Sequence, residues 1–270
     1  MRVAIIGGGK MGEAVLSRIL SAGGELAASA VVEVDPARQH YLRARYSLPV
    51  VITPAEALAQ ADLVLLAVKP QDAPLLYPQL RGRLGAQQVL VSILAGVPIA
   101  ALRAGTGHPA IVRAMPNTPA MIGEGCTVWT ATTEVSAPHR EAARCLFALL
   151  GREQFVAEEK YLDMATALNG SGPAFFFLFF EALADAGVAI GLPRALAHEL
   201  TLQTARGAAL YAQASAAHLA QLRNDVTSPG GTTAAGLYQL ERYALRAAVQ
   251  EAVVAAYQRA RELGAGETKG

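Results

Sequence analysis

Two stretches of this sequence combine residue types and spacing that can hold an anion. The first is Gly7-Gly8-Gly9-Lys10-Met11-Gly12. It fits G-x-G-x-x-G, a pattern that structural turns also produce. Here it follows an apolar run at the chain start and opens a helical segment, which is the context of a dinucleotide site. Gly7 permits the tight turn, Gly9 lets the backbone approach a pyrophosphate, and Gly12 lets helix and strand pack closely. Lys10 and Met11 lie at the helix N-terminus, whose N–H groups and dipole favour a diphosphate. Asp35 falls near the offset of about 20 residues at which an acidic side chain takes the ribose 2′-hydroxyl. A carboxylate there repels a 2′-phosphate, so NADH is expected to serve at least as well as NADPH. Glu33 competes with Asp35 for this role, and Arg38 could instead accommodate the phosphate.

The second stretch is Ser228-Pro229-Gly230-Gly231-Thr232-Thr233. It interrupts a long helical half. Pro229 fixes one φ angle, and the two glycines reach conformations closed to other residues. Thr232 or Thr233 can cap the helix that follows. Such a bend presents N–H donors suited to a carboxylate. An ordinary capped interhelical loop fits the same spacing.

Lesser candidates lie at strand ends. Ala67-Val68-Lys69-Pro70 closes an apolar run, and Pro70 forces the chain to turn. Met115-Pro116-Asn117-Thr118-Pro119 rigidifies a loop after another strand. In open α/β sheets ligands sit at that edge. Asn117 could supply amide hydrogen bonds. Lys69 reads as a solvated lysine near coenzyme phosphates or as a general acid.

These residues need a scaffold, and the first half supplies an alternation. Apolar β-rich runs span Arg2–Gly7, Ser29–Asp35, Pro49–Ile52, Asp62–Val68, Gln88–Leu94 and Ala110–Met115. Helical segments lie between them at Met11–Ala22, Pro36–Tyr46, Pro54–Gln60, Asp72–Arg83 and Pro98–Ala104. This predicts a doubly wound α/β parallel sheet of Rossmann type. Weaker strands flank a helix at Ala137–Leu150. From about Tyr161 the pattern is all-helical, broken at Asn169–Pro173, Gly191–Pro193 and the second stretch. In the last helix, Tyr243–Leu263, apolar residues recur at three- and four-residue steps. The expected domains are 1–160, binding a dinucleotide, and 161–270, all-α, with a frayed end.

The chain has 270 residues, 53% of them hydrophobic and 17% charged. A sizeable core is possible and the composition argues against disorder. A net charge of +1, with no basic run, argues against nucleic acid. Cys126 and Cys145 suit reduced thiols in a cytoplasmic protein. Trp129 reads as packing, and the histidines lack metal spacing. No signal peptide is visible. Ala174–Phe180, "AFFFLFF", reads as too short to span a bilayer. It is expected in a core or, being too apolar for a monomer's surface, in a subunit interface.

"DVTSPGGTTAAGL" resembles the signature of the pyrroline-5-carboxylate reductases, which reduce a cyclic imino acid to L-proline in proline biosynthesis. "IIGGGKMGEA", "AVKPQ", "SILAGV", "RAMPNTPA" and "GSGPAFFFLFFEALADAGVAIGLPR" extend the resemblance in order over nearly the whole chain. It implies an oxidoreductase using NADPH or NADH, with helices that interlock in a homodimer and assemble into larger rings of dimers. It places the substrate carboxylate on Ser228, Gly230, Gly231, Thr232 and Thr233, with the Thr233 hydroxyl near the ring nitrogen as the catalytic group. It places Lys69, Pro70, Ala95 and Asn117 on loops lining the coenzyme. Three positions depart from the family pattern: Asn169 for Ser or Thr, "AAHL" (Ala216–Leu219) for Gly-Glu-His-Pro, and Ala234 for a branched residue.

An iminium carbon accepts hydride without a strong protein acid, so such a protein needs chiefly to orient its reactants. "TSPGGTT" contains no Asp, His or Lys, in keeping with that chemistry. A β-hydroxyacid dehydrogenase is the nearest enzymatic rival, but the Lys that such an enzyme needs is missing from "LNGSGPAFFFLFFEAL". A dinucleotide-binding protein without turnover is the rival of a different class.

Overall fold

The computed structural model describes residues 1–23 and 26–264. The frayed end expected at residues 265–270 lies outside them. Two compact units form: Met1–Ser171 together with the chain from Ala256, and Gly172–Ala255.

The first unit runs β1 (Arg2–Ile6), α1 (Lys10–Ala22), β2 (Ala27–Val32), α2 (Pro36–Arg45), β3 (Val50–Val51), α3 (Pro54–Leu58) and β4 (Leu63–Leu66). A 3-10 turn at Pro70–Asp72 leads into α4 (Ala73–Leu80), then β5 (Val89–Ser92), α5 (Ile99–Thr106) and β6 (Ile111–Met115). After them come β7 (Gly125–Ala131), α6 (Ala137–Ala148), β8 (Gly151–Phe155) and α7 (Lys160–Ala165). The strand order is β3-β2-β1-β4-β5-β6-β7-β8. All neighbours are parallel except β6 and β7, which the expectation of a purely parallel sheet missed. The chain reverses direction across the sheet between β1 and β4, where doubly wound folds open a crevice at the strands' carboxyl ends.

Both faces of the sheet's centre are covered, so β1, β4 and β5 are almost wholly apolar. Alternation divides them. Val3, Ile5, Leu63, Leu65, Val89 and Val91 join one buried cluster with Val15, Leu16 and Ile19 of α1. Ala4, Ile6, Val64, Leu66 and Leu90 join another with Leu76 and Leu80 of α4 and Leu102 of α5. Trp129 is buried between Phe147 and Phe155.

Two boundaries differ from expectation. β2 ends at Val32, short of Asp35, because the Glu33 carboxylate accepts the N–H groups of Val34 (2.7 Å) and Asp35 (2.9 Å) and bends the chain out of the ladder. The first unit extends past residue 160 to Ser171, because its last segment is tied to β6. Arg113, 4% exposed, donates to Glu159 (2.7 Å) and Asp163 (2.6 Å).

The second unit contains α8 (Gly172–Ala189), α9 (Arg194–Ala214), α10 (Leu219–Asp225), α11 (Thr232–Arg242) and the start of α12 (Leu245–Gly264). The break expected at Asn169–Pro173 is instead a π-helical turn, Thr166–Gly170, closed by the Ser171 N–H on the Thr166 carbonyl at 2.9 Å. Helix is therefore continuous for 30 residues, Lys160–Ala189, long and apolar enough by composition to cross a membrane. That corrects the expectation of a stretch too short to do so. In α8 only Gly172 and Ala184 are buried, while Phe176, Phe177 and Leu178 are more than 60% exposed. This face of α8 is not covered by the helices of its own unit.

Removing Arg113 leaves the Glu159 and Asp163 carboxylates, both only partly exposed, without their shared cation. Arg113→Met is expected to cost about 3 kcal/mol, since breaking a buried ion pair strands its partners. Urea unfolding measures it; a change below about 1 kcal/mol would show the pair to be dispensable.

Candidate active site

The glycine turn is built by contacts that exclude a side chain. Gly7 has φ +108°, and a Cβ there would lie 2.6 Å from the Ala67 carbonyl oxygen and 2.8 Å from the Val68 nitrogen. Its N–H donates to the Val32 carbonyl (2.9 Å), while the Ala67 N–H donates to the Ile6 carbonyl (2.8 Å). The turn thus touches the ends of both neighbouring strands. A Cβ at Gly12 would fall on the Gly7 carbonyl oxygen. At Gly9, by contrast, a Cβ would meet nothing within 4 Å. Gly9 is the N-cap of α1, no side chain caps that helix, and Lys10 and Met11 begin it. An uncapped helix start beside open space fits a pyrophosphate.

Charged groups fix the turn from the β2 side. The Glu33 carboxylate accepts the Gly8 N–H at 3.0 Å in addition to the two N–H groups that end β2. Arg38 donates to the Gly8 carbonyl at 2.6 Å and pairs with Glu13. Burial acts to raise the Glu13 carboxyl, but hydrogen bonds from Arg38, Tyr46 and Tyr41 outweigh it and hold it below the ordinary range. Asp35 caps α2 through the Ala37 N–H (2.8 Å) and, more weakly, the Arg38 N–H (3.4 Å). Glu33, the residue weighed second in the sequence, is therefore the acidic group in contact with the turn.

The remaining candidates sit at the carboxyl ends of β4, β5 and β6, along the same edge. Ala67 and Val68 abut Gly7. Lys69 is exposed just ahead of the Pro70–Asp72 turn. Ala95 precedes Gly96, whose φ of +74° and close contact with Leu263 and Ala260 brace the loop against the end of α12. Asn117 differs from expectation. Its amide nitrogen donates to the Asn169 side-chain oxygen (2.8 Å), and its amide oxygen accepts the Cys126 N–H (2.9 Å). Asn169 in turn donates to the Cys126 carbonyl (2.8 Å). These two amides satisfy each other and shape the loop, so the Asn117 side chain is not aimed at a ligand. Asn169, noted only as a departure from a motif, is the partner that sequence reasoning missed.

In the second unit, Ser228 to Gly231 form a turn closed by the Gly231 N–H on the Ser228 carbonyl at 3.0 Å. Gly230 has φ +70°, a left-handed conformation that favours glycine. The threonines do not cap α11. Gly231 is the N-cap, in extended conformation and without a side-chain cap, and Thr232 and Thr233 are the first two helical residues. The first N–H groups of a helix have no partner within it, and the first carbonyl acceptance here, Gly231 from the Ala235 N–H (3.1 Å), begins beyond them. Ser228, Gly230, Thr232 and Thr233 are exposed.

Comparison with known proteins bears on both stretches. A family model described as pyrroline-5-carboxylate reductase dimerisation matches residues 159–263. A second, described as NADP oxidoreductase, coenzyme F420-dependent, matches residues 2–96. A curated pyrroline-5-carboxylate reductase from Synechocystis sp. is 43% identical over 267 residues, 98% of each chain. The chain belongs to the pyrroline-5-carboxylate reductase family. Another member, from Pseudomonas aeruginosa, is 40% identical over 97% of this chain and 96% of its own. Solved structures agree. The Streptococcus pyogenes 1-pyrroline-5-carboxylate reductase superposes with a TM-score of 0.88 at 32% identity, covering 97% of this chain and 98% of its own. A Plasmodium falciparum pyrroline carboxylate reductase solved with NADP bound gives 0.86 at 30% identity, covering 98% of each.

The contrast between Gly9 and Gly12 makes a paired prediction for this family member. Gly12→Ala gains helix propensity of at most about 1 kcal/mol. Its clash with backbone outweighs that, with an expected net loss of about 2 kcal/mol. Gly9→Ala is expected to change stability by less than about 1 kcal/mol yet weaken dinucleotide binding at least about tenfold, equivalent to 1.4 kcal/mol. Thermal unfolding and coenzyme fluorescence titration read the two effects; full affinity in Gly9→Ala would remove Gly9 from the site.

Proposed function

We propose that this chain reduces 1-pyrroline-5-carboxylate to L-proline with NADPH or NADH, the last step of proline biosynthesis. Full-length relatives carrying that name support the reading, and the observation that carries it is the uncapped start of α11 behind Gly230 and Gly231. The backbone N–H groups of Thr232 and Thr233, with the Ser228 hydroxyl and the bend set by Gly230 and Gly231, hold the substrate carboxylate. Anion and helix dipole attract each other there. The Thr233 hydroxyl hydrogen-bonds the ring nitrogen and orients the C=N bond. Gly7, Gly9, Lys10, Met11 and Gly12 hold the coenzyme diphosphate, with Ala67, Val68, Lys69, Pro70, Ala95 and Asn117 shaping its far wall.

A bound reduced nicotinamide supplies the hydride. The imine nitrogen carries a proton, its carbon accepts the hydride, and the neutral ring amine results. The protein's share is positioning and electrostatic fixation, which need no tuned acid. The apolar face of α8 suits a homodimer through the helical half, and a larger ring of dimers follows from the family resemblance. We place the enzyme in the cytoplasm, with Cys126 and Cys145 as reduced thiols.

Thr233→Ala is expected to lower kcat/KM for the imine by roughly ten- to a thousand-fold, the range for a lost positioning donor. Coenzyme absorbance with synthetic pyrroline-5-carboxylate measures it. An unchanged kcat/KM would remove Thr233 from the chemistry, and no turnover by the unaltered protein would overturn the function.

A further inference from the structure

We infer that Glu33 sets coenzyme choice in this chain, its fixed carboxylate accepting the adenosine ribose 2′-hydroxyl of NADH and excluding the 2′-phosphate of NADPH. The inference rests on reading Gly7–Gly12 as the dinucleotide turn. Asp35 is spent as the N-cap of α2. Glu33 instead touches the turn itself, through the Gly8 N–H. Three backbone N–H groups, from Gly8, Val34 and Asp35, hold its two oxygens. A carboxylate offers about four acceptor sites, so one remains, and the group cannot swing aside without releasing all three donors.

Beside the turn lies a cavity of about 400 Å³ lined by Glu33, Val34, Ile52, Asp72, Leu75 and others. Val34 and Leu75 are 73% and 75% exposed, apolar surfaces that suit the two faces of a purine ring. Two acidic side chains line this cavity, and among the described residues that line it there is no Lys or Arg. A ribose hydroxyl donates to a carboxylate. A 2′-phosphate brings about two negative charges and acceptors only, and it needs a cation. Arg38, the nearest candidate on α2, is committed. It grips the Gly8 carbonyl (2.6 Å), pairs with Glu13, and lies over the Tyr41 ring at 4.7 Å from its centroid. The Plasmodium relative was solved with NADP; the selectivity argued here belongs to this chain's acidic lining.

The test is direct binding without substrate. Nicotinamide fluorescence titrations of the purified full-length protein should give a Kd for NADPH at least about tenfold above that for NADH. Glu33→Gln keeps an acceptor for the backbone but removes the charge, and should bring the two Kd values within about threefold. Asp35→Asn, which preserves a capping side chain, should leave the ratio as it was. Equal or tighter binding of NADPH by the unaltered protein overturns this inference alone. A Glu33→Gln variant that weakens both coenzymes equally reduces Glu33 to a structural group and also overturns it. Failure to bind either coenzyme overturns it together with the dinucleotide reading.

Discussion

Backbone touching backbone, with no room for a Cβ, is the constraint on which the carboxyl edge of the sheet depends. Gly7 lies against the end of β4, and Gly12 lies against Gly7. Those two contacts set the position of the first turn of α1 relative to β1, β2 and β4. They leave Gly9 open at the helix start. Every other feature of the edge is referred to this turn: the bend after β2, the proline that stops the chain after β4, and the loop at Ala95 braced by the end of α12.

Polar groups then hold what the glycines shape. Glu33 and Arg38 grip opposite sides of Gly8, one through its N–H and the other through its carbonyl. A glycine-rich segment has the greatest conformational freedom to lose on folding. Fixing both polar groups of its central residue opposes that freedom where an anion must be met by pre-aimed donors. The Ser228–Thr233 turn uses a different device. Its glycines and proline set the bend, and the absence of a capping side chain keeps the helix N-terminus available.

Much of this was legible in the sequence because it follows from periodicity and glycine placement. The strands fall where apolar runs lie, and the tight contacts at Gly7 and Gly12 follow from the glycine spacing. The identity of the acidic group did not. Asp35 and Glu33 differ by two residues, and only the early end of β2 decides which one caps a helix and which meets the turn. Pairings across long separations were also hidden. Asn117 with Asn169, and Arg113 with Glu159 and Asp163, join residues about 50 positions apart, and no local pattern announces them. The sequence around the π turn at Thr166–Gly170 suggests a break, because glycine and proline punctuate helices more often than they bulge them. Thr232 and Thr233 are each cap candidates because threonine favours that position, whereas Gly231 holds it.

The most direct measurement is a crystal structure of the protein with oxidised coenzyme and L-proline bound together. The proline carboxylate is expected within hydrogen-bonding distance of the Thr232 and Thr233 N–H groups, with the coenzyme diphosphate at Gly9 and Lys10. Proline seated away from the start of α11, with those amides facing only solvent, would contradict it.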